Sequence, residues 1–286
     1  MPAELLIPSL VNGLSIGAVY IMMALGLTLM FGVMHIINFA HGAVYMLGAF
    51  AVYYLSTLWG LNFLLALALG ALLLATLGVV VERVVYRPIK GGLEPTLVAL
   101  LAVMIFIQSS GWVVFGVLDK NVPSVFPGLV RLGGISISVE RLTIIPIVAA
   151  LVLALYFFIY RTRLGSAMRA IEQDREAAAL QGVNVHQVNS LVFAVGFALA
   201  AIAGGLVAPI FVLNPVMGDF PLLKAFIIII LGGLGSLPGA VLGGVILGLI
   251  DSVLTTALGF EIAFLTAFLL VILILLIRPT GLLGRA

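Results

Sequence analysis

Residues 7–31 read IPSLVNGLSIGAVYIMMALGLTLMF, twenty-five positions without one charged side chain. An α-helix rises 1.5 Å per residue, so the run is about 37 Å long, while the hydrocarbon core of a bilayer is about 30 Å thick and needs roughly 20 apolar residues to cross. The stretch therefore reads as a membrane-crossing helix. The residues before it, Met1-Pro2-Ala3-Glu4, lack the positive start of a secretory leader, so the run is taken as a span of the mature chain. Working outward by the same criterion, further apolar segments fall at 36–58, 62–81, 95–117, 142–160, 187–209, 222–238, 240–258 and 262–277. With 222–238 and 240–258 counted as a continuous pair or as two spans, the chain has eight to nine apolar segments.

Composition agrees with this reading. Of 286 residues, 13 are Lys or Arg and 11 Asp or Glu, 64% are hydrophobic, and the mean hydropathy is +1.35. A soluble domain is about 25% charged, against 8% here, too few to coat a water-facing surface. Disorder requires low hydrophobicity, and the 32 glycines follow no three-residue repeat, which removes collagen. Zero cysteines exclude disulfides, thiolate metal sites and cysteine nucleophiles. The net charge of +2 is spread over separate breaks and makes no continuous basic stripe, so nucleic acid is not an expected partner; the lipid bilayer is. The predicted fold is all-α, a polytopic helical membrane protein with one transmembrane domain over residues 1–286.

The breaks orient the chain. Arg83, Arg87 and Lys90 lie in one, Arg161, Arg163, Arg169 and Arg175 in a second, and Arg278 and Arg285 in the tail. Lys120, Arg131, Arg141 and Lys224 occupy the intervening ones, nine basic residues against four. The positive-inside rule places the first three breaks in the cytoplasm and the N-terminus outside. The external break, about 117–141, carries Pro123, Pro127 and Gly133-Gly134 before the alternating Ile135-Ser136-Ile137-Ser138-Val139, which predicts a short strand or hairpin. The uncharged Gly232-Gly233-Leu234-Gly235-Ser236-Leu237-Pro238-Gly239 reads either as a deep re-entrant turn or as a tight helix-helix corner. Gly239-xxx-Gly243 and Gly244-xxx-Gly248 read as close helix packing.

Enzyme chemistry is not legible. No GxxxxGK[ST] phosphate loop and no HExxH occur, and His35, His41 and His186 are too scattered to form a metal set; no cofactor is expected. The informative polar stretch is the cytoplasmic segment, about 161–186. Within it RLGSAMRAIEQDREAAALQG, residues 163–182, has the composition of one amphipathic helix ending at Gly182, with Arg169, Glu172, Arg175 and Glu176 on its charged side. Its mixed charge favours docking on a cytoplasmic partner over floating at lipid headgroups.

Polar side chains inside apolar spans usually face a bundle interior. Asn12, Asn38, His41, Tyr45, Gln108 and Asp251 qualify, with Asn38, His41 and Tyr45 expected at successive turns of one helical face. Each reads either as an interhelical hydrogen bond or, for Asp251, a buried pair, or as a lining residue of a translocation path.

Glu176-Ala177-Ala178 with Gly182 matches the EAA---G core of ABC importer permeases. Together with NFAHGAVYMLG (38–48), ERVVYRP (82–88), residues 231–248 and RPTGLLG (278–284), the chain resembles the LivH-type permeases of branched-chain amino acid ABC importers. It departs from the EAA pattern where Val192 and Ala194-Val195 replace the usual Ile and Leu-Pro. The resemblance implies a membrane subunit forming half of a translocation pathway for branched-chain or related small amino acids, with no catalytic residues of its own. It also implies a second related permease, two ATP-binding subunits and an external substrate-binding protein as partners, and the cell inner membrane as location. Arg169, Glu172, Asp174, Glu176, Ala177, Ala178 and Gly182 would couple to the ATPases. The competing expectation is a stand-alone ion- or proton-coupled secondary transporter of small amino acids or amides, using Asp251 and His41.

Overall fold

The computed structural model describes residues 3–89, 92–132 and 135–284. Expectations resting on Met1, Pro2, Lys90, Arg285 and the Gly133-Gly134 pair fall outside the described residues. The helices are α1 (Ala3–Met34), α2 (Ala40–Val52), α3 (Phe63–Val81), α4 (Leu93–Phe115), α5 (Val139–Arg161), α6 (Arg163–Gln173), α7 (Arg175–Leu180), α8 (Val185–Val207), α9 (Asp219–Gly232), α10 (Leu237–Leu258) and α11 (Phe260–Ile277). Strands β1 (Leu129–Leu132) and β2 (Ile135–Ser138) form an antiparallel hairpin in the break at about 117–141, pairing Leu129 with Ser138 and Leu132 with Ile135. The helix starts carry local signals: Asn62, Asn184 and Ser236 accept from Leu64, Gln187 and Gly239 backbone N–H groups.

Among the described residues seven helices are long and apolar enough to cross a bilayer: α1, α3 with its terminal π-helical turn (Glu82–Tyr86), α4, α5, α8, α10 and α11. The chain is a multi-pass membrane protein. The segment expected at 36–58 holds α2, which runs on without a break into a π-helical stretch (Tyr53–Leu58), and the one expected at 222–238 holds the 14-residue α9. Helix α2 starts four residues later than expected, and α9 at 1.5 Å per residue covers about 20 Å, roughly two thirds of the hydrocarbon core. The reason is local. Asn38 stays outside α2 and accepts the Ala40 N–H at 3.0 Å, and His35 takes a positive φ of 55°. Asn214 likewise accepts from Val216 N at 3.2 Å in the turn preceding α9. Irregular backbone at membrane depth persists only where protein buries it, and here the two broken segments bury each other. A Cβ at Gly218 would overlap the Gly42 carbonyl oxygen, and the Phe39 and Phe226 rings lie 5.4 Å apart.

Small residues set the remaining crossings. A Cβ at Gly13 would lie 2.9 Å from the Gly248 carbonyl oxygen and one at Gly17 2.9 Å from that of Gly244, so α1 and α10 pack backbone to backbone. Helix α8 takes the centre, with Gly78 of α3 and Gly48 of α2 close against its Phe193 and Ala201 backbone. Residues 232–239 make a tight turn between α9 and α10. Gly233 has φ +105°, Ser236 N donates to Gly233 O at 3.0 Å, and the tail lies over the turn through Leu282 N to Leu231 O and Leu283 N to Gly232 O, both 2.9 Å. Gly235 approaches Gly32 near the end of α1, beside Glu172 of α6, so corner, tail and polar segment share one end of the bundle. At the opposite end Lys120 pairs with Leu213 in a β-bridge and donates to the Tyr54 hydroxyl at 3.0 Å.

Lys224 departs from its expected place. It lies inside α9, its side chain 2% exposed, rather than in a hydrophilic break.

Candidate functional site

The polar segment is two helices, not one. Asp174 leaves helical geometry (φ −157°, ψ 111°) and its Oδ1 accepts from Glu176 N and Ala177 N, each at 2.9 Å, so it ends α6 and caps α7. At the other end Gly182 sits at φ +84°, with Val183 N bonded to Ala178 O at 3.1 Å and Gly182 N to Ala179 O at 3.0 Å. This doubled closure is a Schellman motif, which a left-handed glycine completes at little steric cost. The spacing of Glu176, Ala177, Ala178 and Gly182 thus encodes a rigid, doubly capped turn and a half of helix. Ala178 is its buried foot, whereas Glu176, Ala177 and Leu180 face outward, Leu180 at 89% exposure. Leu180 was not singled out in the sequence, where a single helix over residues 163–182 was expected. Arg169 is half-buried, donates to Ser166 Oγ at 3.3 Å and stacks its guanidinium 5.0 Å from the Tyr160 ring centre. Glu172 is turned toward the end of α1, where a Cβ at Gly32 would lie 3.9 Å from its carboxyl carbon.

Beside this knob, Glu82 is fully buried and holds Arg87 through two contacts of 3.1 and 3.3 Å while accepting from Ser190 Oγ at 2.6 Å. The ERVVYRP stretch therefore fastens the end of α3 to α8. Arg175, His186 and Asn189 line the adjoining cleft with Glu82 and Arg87, tying the knob to the bundle.

The intramembrane residues are not gathered at one point. Asn38 donates from Nδ2 to Met30 Sδ at 3.3 Å and precedes α2, so it does not share a helical face with His41 and Tyr45. His41 is fully buried in space left by Gly26, and neither ring nitrogen has a hydrogen-bond partner among the described residues. Asp251 Oδ1 is bonded to Lys224 Nζ at 2.5 Å, with Lys224 also 5.4 Å from the Phe264 ring centre. Gln108 donates to Asp219 Oδ1 at 2.7 Å. Tyr45 alone of the candidates lines a cavity of about 390 Å³ between α1, α2, α5, α8, α9 and the start of α11. Asn12 is half-buried, one turn above Ser15 and Ile16 of the same cavity wall. Tyr20 and Arg141 also line it, and sequence reading missed both: Tyr20 looked like one aromatic among many and Arg141 like a loop charge.

Residues 9–277 match the family model described as branched-chain amino acid transport system / permease component. The chain is 37% identical over 292 aligned positions to the high-affinity branched-chain amino acid transport system permease protein BraD of Pseudomonas aeruginosa, covering 96% of this chain and 95% of that one. It is 36% identical to the LivH permease protein of the same description from Salmonella typhimurium, over 96% and 94%. A probable LivH of Methanocaldococcus jannaschii is 29% identical over 78% of this chain and 72% of its own length. No solved structure matches. With helical spans, polar knob and match all running nearly end to end, the chain belongs to the family of branched-chain amino acid transport system permease components.

Proposed function

We propose that this protein is the permease subunit of an ATP-binding-cassette importer in the cell inner membrane, forming half of the pathway for branched-chain or related small amino acids. It works with a second related permease, two ATP-binding subunits and an external substrate-binding protein. The observation that carries this is α7: a helix closed by Asp174 and Gly182, presenting Glu176, Ala177 and the almost fully exposed Leu180 at the basic end of the bundle. An isolated leucine on a rigid polar helix is an anchor for a groove in a soluble partner, and the ATPase is the partner that an importer of this family requires. The cavity at Tyr45 lies within the size of small-molecule pockets and is mostly apolar, which suits an aliphatic zwitterion. A lone secondary carrier would need Asp251 as a free coupling group, and its pairing with Lys224 argues against that.

The test is co-purification. Tagged wild-type permease should bring down its ATP-binding subunits from detergent extracts, and Leu180→Asp should lose them while the permease remains inserted. Full retention of the ATPases by Leu180→Asp rejects α7 as the docking element.

A further inference from the structure

We propose that Arg141 is the carboxylate anchor of a substrate subsite in the outer half of the membrane, deepening the amino-acid permease reading and resting on it. Arg141 stands in the first turn of α5, half-buried, and lines the cavity together with Ser15, Tyr20 and Tyr45 as the polar groups of an otherwise apolar wall. No Asp or Glu lines that cavity, and Arg141 has no ion pair and no side-chain hydrogen bond among the described residues. The neighbouring Glu140 is turned away and occupied, accepting from Val125 N at 2.7 Å.

Other cations among the described residues that reach into the bundle have partners: Lys224 has Asp251, Arg87 has Glu82, Lys120 has the Tyr54 hydroxyl, and half-buried Arg169 has Ser166 and the Tyr160 ring. An unpaired guanidinium at the wall of an apolar cavity selects a ligand with one anionic group on an aliphatic body. A planar guanidinium matches a carboxylate through two parallel N–H···O bonds. The aliphatic part of the ligand then lies among Ile16, Val19, Ile144, Val207 and Ile210. Tyr20 and Tyr45 supply the phenolic hydroxyls of the same wall, whose oxygens can accept from the ammonium group. The cavity is placed to receive substrate from outside, because Arg141, Phe211 and Phe260 of its lining all belong to the end of the bundle that carries the external hairpin.

A phosphate headgroup of an anionic lipid carries the same charge and is the rival source, so lipid composition is the second variable of the test. The complete importer is reconstituted in vesicles of phosphatidylcholine alone and of phosphatidylcholine with phosphatidylglycerol. Uptake of labelled leucine and ATP hydrolysis, both driven by loaded binding protein, are measured in parallel. Arg141→Gln is expected to lower leucine moved per ATP by about ten- to a hundredfold in both lipid mixtures, while stimulation of ATP hydrolysis by the binding protein persists. Arg141→Lys keeps the charge without the planar fork and should fall between the two; it also supplies the reading if Arg141→Gln fails to assemble. Unchanged uptake per ATP overturns the proposal, as does a loss of uptake matched by equal loss of stimulated hydrolysis, or an effect seen only with phosphatidylglycerol. A wild-type importer that moves no leucine rejects the permease reading itself, which is a distinguishable failure.

Discussion

The Lys224–Asp251 pair gives a prediction whose magnitude follows from burial. The two side chains are 2% and 12% exposed, so solvent screens their attraction little, and they join α9 to α10 at 2.5 Å. Asp251→Asn leaves the ammonium buried with only the Phe264 ring and a neutral amide for company. Removing one partner of such a pair costs about 3 to 5 kcal/mol, whereas replacing both by apolar groups of similar volume is near neutral or stabilising. Asp251→Asn and Lys224→Met should therefore each destabilise the permease by about 3 kcal/mol, roughly a hundredfold in the folded ratio. The double variant Lys224→Met/Asp251→Leu should recover most of that loss. The assay is unfolding of the purified permease by titration of denaturing into native detergent, read as a double-mutant cycle. A coupling energy under about 0.5 kcal/mol, or a double variant less stable than either single one, refutes the reasoning. Uptake by the double variant adds a functional readout: retained transport per assembled complex is expected if the pair fastens helices, and its abolition would revive a coupling role for Asp251.

Three further outcomes are expected. Gly182→Leu forces a left-handed conformation at φ +84° on a branched side chain at about 1 to 2 kcal/mol, and together with Glu176→Lys it should abolish ATPase binding while leaving membrane insertion intact, checked by co-purification. A reporter active only in the cytoplasm should respond at Gln173 and stay silent at Ser124, and a signal at Ser124 reverses the orientation. Asn38→Leu removes the bond to Ala40 N and should cost about 1 kcal/mol of stability, whereas His41→Leu removes two unpartnered ring nitrogens and should be neutral or stabilising. Uptake per assembled complex then decides whether either residue lines the path, since depressed turnover in a stable His41→Leu variant has no packing explanation.

The sequence was most legible where one physical signal dominated. Uncharged runs bounded by charged or turn-forming residues located α1, α3, α4, α5, α8, α10 and α11 to within a few residues, because lipid tolerates little else. It was least legible where two signals overlapped. Residues 36–39 are as apolar as a span, yet the Asn38 side chain competes for the backbone and delays α2. The same holds in the polar segment, where helix-favouring Ala, Glu and Arg on both sides masked the capping role of Asp174. Lys224 misled because a single charge in an apolar run resembles a loop boundary, and only tertiary packing reveals that Asp251, 27 positions later, neutralises it. The place of Arg141 was equally hidden: a basic residue beside a span reads as one more charge of a hydrophilic break until a cavity is found next to it.

The glycine-lined contact between α1 and α10 also has a meaning in time. Helix α1 ends at Met34 and α10 begins at Leu237, so roughly 200 residues must be synthesised before the first helix meets its principal neighbour. At about 5 to 20 residues per second that interval is roughly 10 to 40 s. Throughout it the nascent chain holds the Gly13 and Gly17 groove open to lipid and to any passing helix with small residues of its own. Translation that stalls before Leu237 thus leaves in the bilayer a first helix whose small-residue strip has no partner from its own chain.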